Sequence, residues 1–355
     1  MKAIVLCAGL GTRLRPLTFS TAKHLIPVAN KPVLFFGIES LVEIGAREIG
    51  IIVSKESRGV IQNAVDDGQR WGAQVSYVEQ PQPRGLAHAA QCARAFVGSD
   101  PFVMYLGDNL IPEGLTGAAD HFKRSGANAV VMLKAVDDPT QFGIAQLDGD
   151  RIVRLIEKPK NPPTNLAIVG GYFFDHHIFE SIDRIKPSWR NEYEITDAIQ
   201  DLIDRGLNVV PYVVTGWWKD AGKPNDILEA NQVMLQKIGT AIQGKLDSSS
   251  IIEGPVCIGP DTEVSGSKIV GPVIIGAESR IIDAEIGPFA SIGDRVHVIG
   301  SRIADSVVMD DTVIQHVRQP VVRSLLGRRV QLTGNVAGQA GIRLVLGDFC
   351  ETELP

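Results

Sequence analysis

Lys2-Ala3-Ile4-Val5-Leu6-Cys7-Ala8-Gly9-Leu10-Gly11-Thr12-Arg13-Leu14-Arg15-Pro16 begins as an unbroken apolar run and passes at once into a glycine-rich turn that carries arginines. An apolar run without polar alternation reads as a strand buried on both faces, as in a parallel sheet covered by helices. Gly9 and Gly11 let the turn bend and approach a ligand without a Cβ, and consecutive backbone N–H groups can then face phosphate oxygens. Arg13 and Arg15 add fixed positive charge. The spacing is neither that of a Walker loop, which needs Gly-Lys-Ser/Thr, nor that of the dinucleotide fingerprint with its three glycines.

Working outward, Ile49–Val53, Val75–Glu79 and Phe102–Leu106 read as further strands, with helices predicted near Pro32–Ile44, Ser57–Asp67 and Leu86–Phe96. Alternation of this kind predicts an α/β domain with a Rossmann-like, mostly parallel sheet. Such sheets bind ligands beyond the carboxyl ends of their strands, so the Gly9–Arg13 turn and Gly107-Asp108-Asn109 are expected at one crevice.

After a helical run at Asn225–Lys237 the text changes to glycine, proline and aliphatics. Ile258-Gly259, Ile275-Gly276, Ile292-Gly293, Met309-Asp310 and Leu326-Gly327 recur every 17 residues. Val264 and Ile269, Ile281 and Ile286, and Val298 and Ile303 divide each interval further. That pattern predicts a parallel β-helix of about five rungs with aliphatics stacked inward, the register loosening near Gln315–Pro320. Two domains are therefore expected, 1–237 and 238–355. Every residue singled out for chemistry precedes 237, so the tail is expected to be removable without touching phosphate chemistry, and to serve assembly of a homo-oligomer by covering exposed rungs.

Composition narrows the class. The chain has 355 residues, 44% hydrophobic and 21% charged, with a net charge of −6. This balance argues against a general nucleic-acid surface. No apolar run reaches the length of a membrane span, and Met1-Lys2 leads into a core-type strand with no signal pattern, so a cytoplasmic protein is expected. Cys7, Cys92, Cys257 and Cys350 are dispersed, which indicates neither a zinc site nor a disulfide framework.

The opening turn continues into Ala22-Lys23-His24-Leu25-Ile26-Pro27-Val28-Ala29-Asn30-Lys31-Pro32. Further on come Gln80-Pro81 to Gly85-Leu86-Ala87-His88-Ala89, Leu106-Gly107-Asp108-Asn109, Glu157-Lys158-Pro159, Glu192-Tyr193-Glu194-Ile195-Thr196-Asp197 and Trp218-Lys219-Asp220-Ala221-Gly222. Together these resemble the sugar-1-phosphate nucleotidyltransferases, most of all the long-form glucose-1-phosphate thymidylyltransferases. The resemblance implies that the tail's β-helix is left-handed. It also implies transfer of a nucleotidyl group from dTTP to glucose 1-phosphate, with Mg2+ as cofactor. Leu6, Ala8, Gly9, Gly11, Thr12, Arg13, Lys23, Gln80, Pro83, Gly85 and Asp108 would bind the nucleotide. Leu86, Leu106, Gly143, Glu157, Lys158, Ile168 and Glu192 would bind the sugar phosphate. Asp108 and Asp220 would hold the metal, and Arg13, Lys23, Asp108, Lys158 and Asp220 would be catalytic.

No covalent intermediate is needed for this chemistry, so positioning and charge stabilisation carry it. A glutamine amide at position 80 offers a donor and an acceptor, which suits the imide edge of thymine or uracil. UTP therefore remains an alternative to dTTP. A bifunctional enzyme with acyl transfer on the β-helix is a further alternative, for which His297 and His316 are the histidines in the repeat region.

Overall fold

The computed structural model describes residues 1–334 and 341–354. Strand Lys2–Cys7 is buried from Ala3 onward, which is why its sequence needs no polar alternation. It pairs in parallel with Glu48–Val53 on one side and with Phe102–Leu106 on the other, and Gln74–Glu79 continues the parallel set. Leu6 is in register with Leu106, and the Gly107 amide donates to the Leu6 carbonyl at 3.1 Å. The chain thus leaves this pairing side by side after Leu6 and after Leu106. Helices Lys55–Val65 and Leu86–Cys92 cover these strands, and the expected helix over Leu86–Phe96 is broken at Ala93 before a short turn Arg94–Val97.

The sheet then extends by antiparallel pairing. Leu166–Phe174 runs against Phe102–Leu106 and Ala129–Ala135, and it meets the hairpin formed by Gly143–Asp148 and Arg151–Glu157. The hairpin has a local cause: Gly149-Asp150 is a two-residue connection with Gly149 at φ 58°.

By packing, the chain divides into one unit of Met1–Leu10 with Leu34–Asp220 and a second of Gly11–Val33 with Ala221–Pro355. This grouping is not the division at 237, because the segment carrying Arg13 and Lys23 packs with the tail. Within the second unit, Pro27–Val28 and Lys31–Pro32 form a hairpin with Ala29 and Asn30 both in the left-handed region, φ 47° and 57°. Asn30 Nδ2 donates to the Ile292 carbonyl at 2.5 Å, and the Ala29 amide donates to Asn231 Oδ1 at 2.8 Å. Ser291 Oγ donates to the same Asn231 oxygen at 2.6 Å, and Asn231 Nδ2 donates to the Phe289 carbonyl at 3.3 Å. Asn231 and Ser291 are buried. Ser20 Oγ donates to Asp348 Oδ2 at 2.8 Å, a second tie between this segment and the tail. The tail is therefore not a core standing apart from the segment expected to meet phosphates.

The tail is the expected left-handed β-helix, with two faces of seven stacked strands and a third of five among the described residues. It begins earlier than the five rungs read from sequence, at Ala241–Ile242, and continues past them to Glu351–Leu354. Corners at Asp261, Glu278, Arg295, Asp311 and Arg329 share φ of 55–60°. The 17-residue period holds for Val256, Val273 and Ala290, then shortens to 16 at Ser306. It lengthens to 18 in the next step, where Val308 pairs with Leu326. Ile292 is thus stacked on Val308, not on Met309 as the fixed period implied. Gly259 is required by the stack, since a Cβ there would lie 2.6 Å from the Gly276 carbonyl carbon of the rung above.

Candidate active site

Asp108 follows the strand Phe102–Leu106, and Asn109–Leu110 pairs antiparallel with Lys219–Asp220 so that Asp220 stands opposite Asn109. This short ribbon brings the two expected metal carboxylates together from 112 residues apart in the chain. Asn109, buried, organises the ribbon: its Nδ2 donates to Asp108 Oδ1 at 3.0 Å, while its Oδ1 accepts from Trp218 Nε1 at 2.7 Å and from the Gly170 amide at 3.2 Å. Gly170 must lack a side chain, because a Cβ would sit 2.5 Å from the Asn109 amide.

Asp108 and Asp220 line a cavity of about 140 Å³ together with Leu86, Leu106, Gly143, Glu157, Lys158 and Ile168. Every expected sugar-phosphate residue except Glu192 is in that lining. Phe142, which sequence reading also set at the pocket, lines it too, as do Asn109, Thr196 and Trp218, which stand in the quoted motifs without having been assigned a role in binding. Phe142 and Trp218 rings stand 5.2 Å apart and tilted, forming an apolar wall. Lys158 has φ 42° and donates its backbone N–H to the Phe142 carbonyl at 3.1 Å, which fixes the turn at the strand end.

Glu157 is mostly buried, and burial first, then Glu194, push its carboxyl above the ordinary range against Lys158, Arg190 and Thr196. Thr196 Oγ1 donates to Glu157 Oε2 at 3.3 Å, and Arg190 Nη1 reaches Oε1 at 3.2 Å. Arg190 also donates to Glu192 Oε2 at 2.8 Å and lies 3.7 Å from Glu194 Oε1. Glu192 is therefore held by Arg190 outside the lining. Arg190, which the motif reading passed over, joins three glutamates; its signal was a lone cation just before Glu192-Tyr193-Glu194.

Gln80, expected to meet the base, is buried after the strand Gln74–Glu79. Its Nε2 donates to the Gly85 carbonyl at 3.1 Å and lies 3.0 Å from His88 Nδ1. Gly85 has φ 98°, and a Cβ there would lie 2.5 Å from the Tyr193 carbonyl oxygen, so only glycine fits. Pro83 is exposed, and Arg84 Nη2 donates to Tyr193 Oη at 3.2 Å. Burial and the Arg84 charge lower the His88 pKa below the ordinary imidazole range, against a backbone hydrogen bond at Gln82.

Leu6 and Ala8 are buried at the end of the first strand and Gly9 is exposed. Gly11, Thr12, Arg13 and Lys23 belong to the second unit. There Gly11 has φ 64°, and its absent Cβ would fall 2.9 Å from Lys23 Cβ, so the turn closes against the lysine stem. Thr18 Oγ1 donates to the Gly11 carbonyl at 2.7 Å and Arg13 lies on the single turn Thr12–Leu14.

Oxygen donors dominate the ribbon, and neither histidine nor cysteine is in the cavity lining, so the pair Asp108 and Asp220 suits a hard cation. A larger cavity of about 250 Å³, lined among others by Glu39, Glu43 and Glu113, contains none of the expected residues. Among the described residues, no helix is long and apolar enough to cross a membrane.

The family model for nucleotidyl transferases matches residues 2–237. The chain is 44% identical over 356 residues to a glucose-1-phosphate thymidylyltransferase of Streptomyces antibioticus, covering 100% of this chain and 99% of that protein. It is also 44% identical, with full coverage of both chains, to a low-salt glycan biosynthesis nucleotidyltransferase of Haloferax volcanii. A crystal structure of a UDP-glucose pyrophosphorylase complexed with UDP-glucose superposes with a TM-score of 0.60 at 27% identity, covering 66% of this chain and 98% of that one. The match of the family model across both the parallel strands and the Asp108–Asp220 ribbon makes this chain a member of the nucleotidyl transferase family.

Proposed function

We propose that this enzyme transfers a nucleotidyl group from dTTP to glucose 1-phosphate, giving dTDP-glucose and pyrophosphate. The observation that carries the reading is the single cavity in which Glu157 and Lys158 meet Asp108 and Asp220. Lysine is a point charge for a sugar phosphate, whereas the buried glutamate, braced by Thr196 and Arg190, can accept from two sugar hydroxyls. A phosphate oxygen of the sugar then attacks the α-phosphorus in line, the bond from that phosphorus to the bridging oxygen breaks, and pyrophosphate leaves. Asp108 and Asp220 would hold Mg2+, which supplies Lewis-acid stabilisation of the charge that gathers on the α-phosphate. Arg13 and Lys23 would grip the triphosphate and neutralise the departing pyrophosphate.

UTP is the second reading, favoured by the likeness to the UDP-glucose pyrophosphorylase. Thymine and uracil differ by one methyl, worth about 1–3 kcal/mol in an apolar notch. The test is pyrophosphate release over a matrix of nucleoside triphosphates and sugar 1-phosphates. The highest kcat/KM is expected for dTTP with glucose 1-phosphate, and UTP within roughly a hundredfold. Efficient use of ATP or GTP would overturn the pyrimidine reading.

Lys158→Ala is expected to raise the KM for glucose 1-phosphate by about 10- to 100-fold, as loss of a charge-assisted hydrogen bond worth about 1.5–3 kcal/mol requires. The KM for the nucleotide should move little. Equal weakening of both substrates would remove Lys158 from the sugar-phosphate side.

A further inference from the structure

We propose that His88 is a positioning residue for the nucleobase: with the Gly85 carbonyl it occupies both N–H bonds of the Gln80 amide, leaving that side chain to present only its carbonyl oxygen to the base. This deepens the nucleotidyl-transfer reading and rests on it.

The orientation of the amide is fixed by chemistry. The Gly85 carbonyl can only accept, so the Gln80 atom 3.1 Å from it is the nitrogen. That nitrogen has no lone pair to offer His88, so Nδ1, 3.0 Å away, is the acceptor and the imidazole is neutral with its proton on Nε2. Burial and Arg84, which hold the imidazole pKa low, favour the same form. Two acceptors thus meet two N–H bonds, and among the described residues no hydrogen bond to Gln80 Oε1 is formed. The side chain is buried, so turning the amide over would set its oxygen against the Gly85 carbonyl and leave both acceptors unsatisfied.

An oxygen held in this way requires a ring N–H across from it. Uracil and thymine supply N3–H. Cytosine and adenine present a ring lone pair at that position, which faces the oxygen with repulsion. Guanine has an N1–H, so its exclusion depends on width and not on this contact. Gln80 therefore acts as an acceptor alone, a narrower role than the donor-plus-acceptor pairing expected of a free amide.

The test compares kcat/KM for UTP, dTTP and CTP, each with glucose 1-phosphate, in the wild type, His88→Leu and His88→Asn. Leucine removes the acceptor, while asparagine returns an oxygen at the place of Nδ1. The UTP-to-CTP ratio is expected to fall at least about tenfold in His88→Leu and to recover in His88→Asn, with the glucose 1-phosphate KM steady in both. A merely packing role would lower stability without moving that ratio. His88→Ala serves the same comparison if the leucine variant does not accumulate. An unchanged ratio in a variant that turns over UTP and dTTP would overturn the role of His88 while leaving nucleotidyl transfer intact. Absence of wild-type turnover with every triphosphate would overturn both.

Discussion

Asp108→Asn should lower turnover by at least about a thousandfold, because a carboxylate that neutralises the α-phosphate through a metal contributes several kcal/mol to the transition state. The fold should survive. Asparagine at 108 keeps an oxygen that can accept from Asn109 Nδ2, now 3.0 Å away, and the ribbon with Lys219–Asp220 is held by its backbone. Asp220→Asn is expected to act alike, since it stands opposite Asn109 and lines the same cavity. The measurement is single-turnover pyrophosphate release in saturating magnesium, with thermal melting alongside. A melting temperature near that of the wild type with turnover lost supports the metal role. Near-normal turnover in either variant would remove that aspartate from the metal pair.

Cutting the chain after Lys237 should lower turnover at least about a hundredfold even where the remaining domain folds, the reverse of what the order of motifs implied. The segment with Arg13 and Lys23 is tied to the β-helix directly at Asn30 and Ser20, and at Ala29 through Asn231; a cut removes Ile292 and Asp348, and with them Ser291, which bonds to Asn231. Misplacing catalytic groups by about an ångström is enough to cost about a hundredfold. Asn231→Leu gives the gentler version. It leaves the Ala29 amide and the Ser291 hydroxyl without their acceptor, at about 1–3 kcal/mol each, and should raise the triphosphate KM more than the sugar-phosphate KM. Wild-type kinetics in the truncated chain would mean the ties do nothing for catalysis. Light scattering on the same chains reads the assembly role expected of the tail.

The parts of this molecule that local chemistry dictates were legible in its sequence. The continuous apolar run at Lys2–Cys7 announced a doubly covered strand, and the glycine-marked repeat announced the β-helix. The motifs also singled out Asp108, Asp220, Glu157 and Lys158, which the fold brings to the lining of one cavity. What escaped depends on contacts distant in sequence. Arg190 is 33 residues from Glu157, and nothing in its own neighbourhood signals that partner. Asn109 stood in a recognised motif, but its grip on Trp218 exists only once the ribbon forms. The bond from Asn30 to Ile292 spans 262 residues, which is why the tail read as separable.

The rung of 16 residues followed by one of 18 has a bearing on how such tails change over evolutionary time. One residue lost in a rung and one gained in the next restore the phase of the face that carries Ile292, Val308 and Leu326. Strand segments tolerate no such exchange, because a slip of one residue turns every inward side chain outward. Aligning relatives on a rigid 17-residue grid would therefore place Met309 where Val308 stands and misjudge which substitutions the core forbids. Insertions and deletions are admissible at the left-handed corners, provided that Val308 and its counterparts keep their place in the stack.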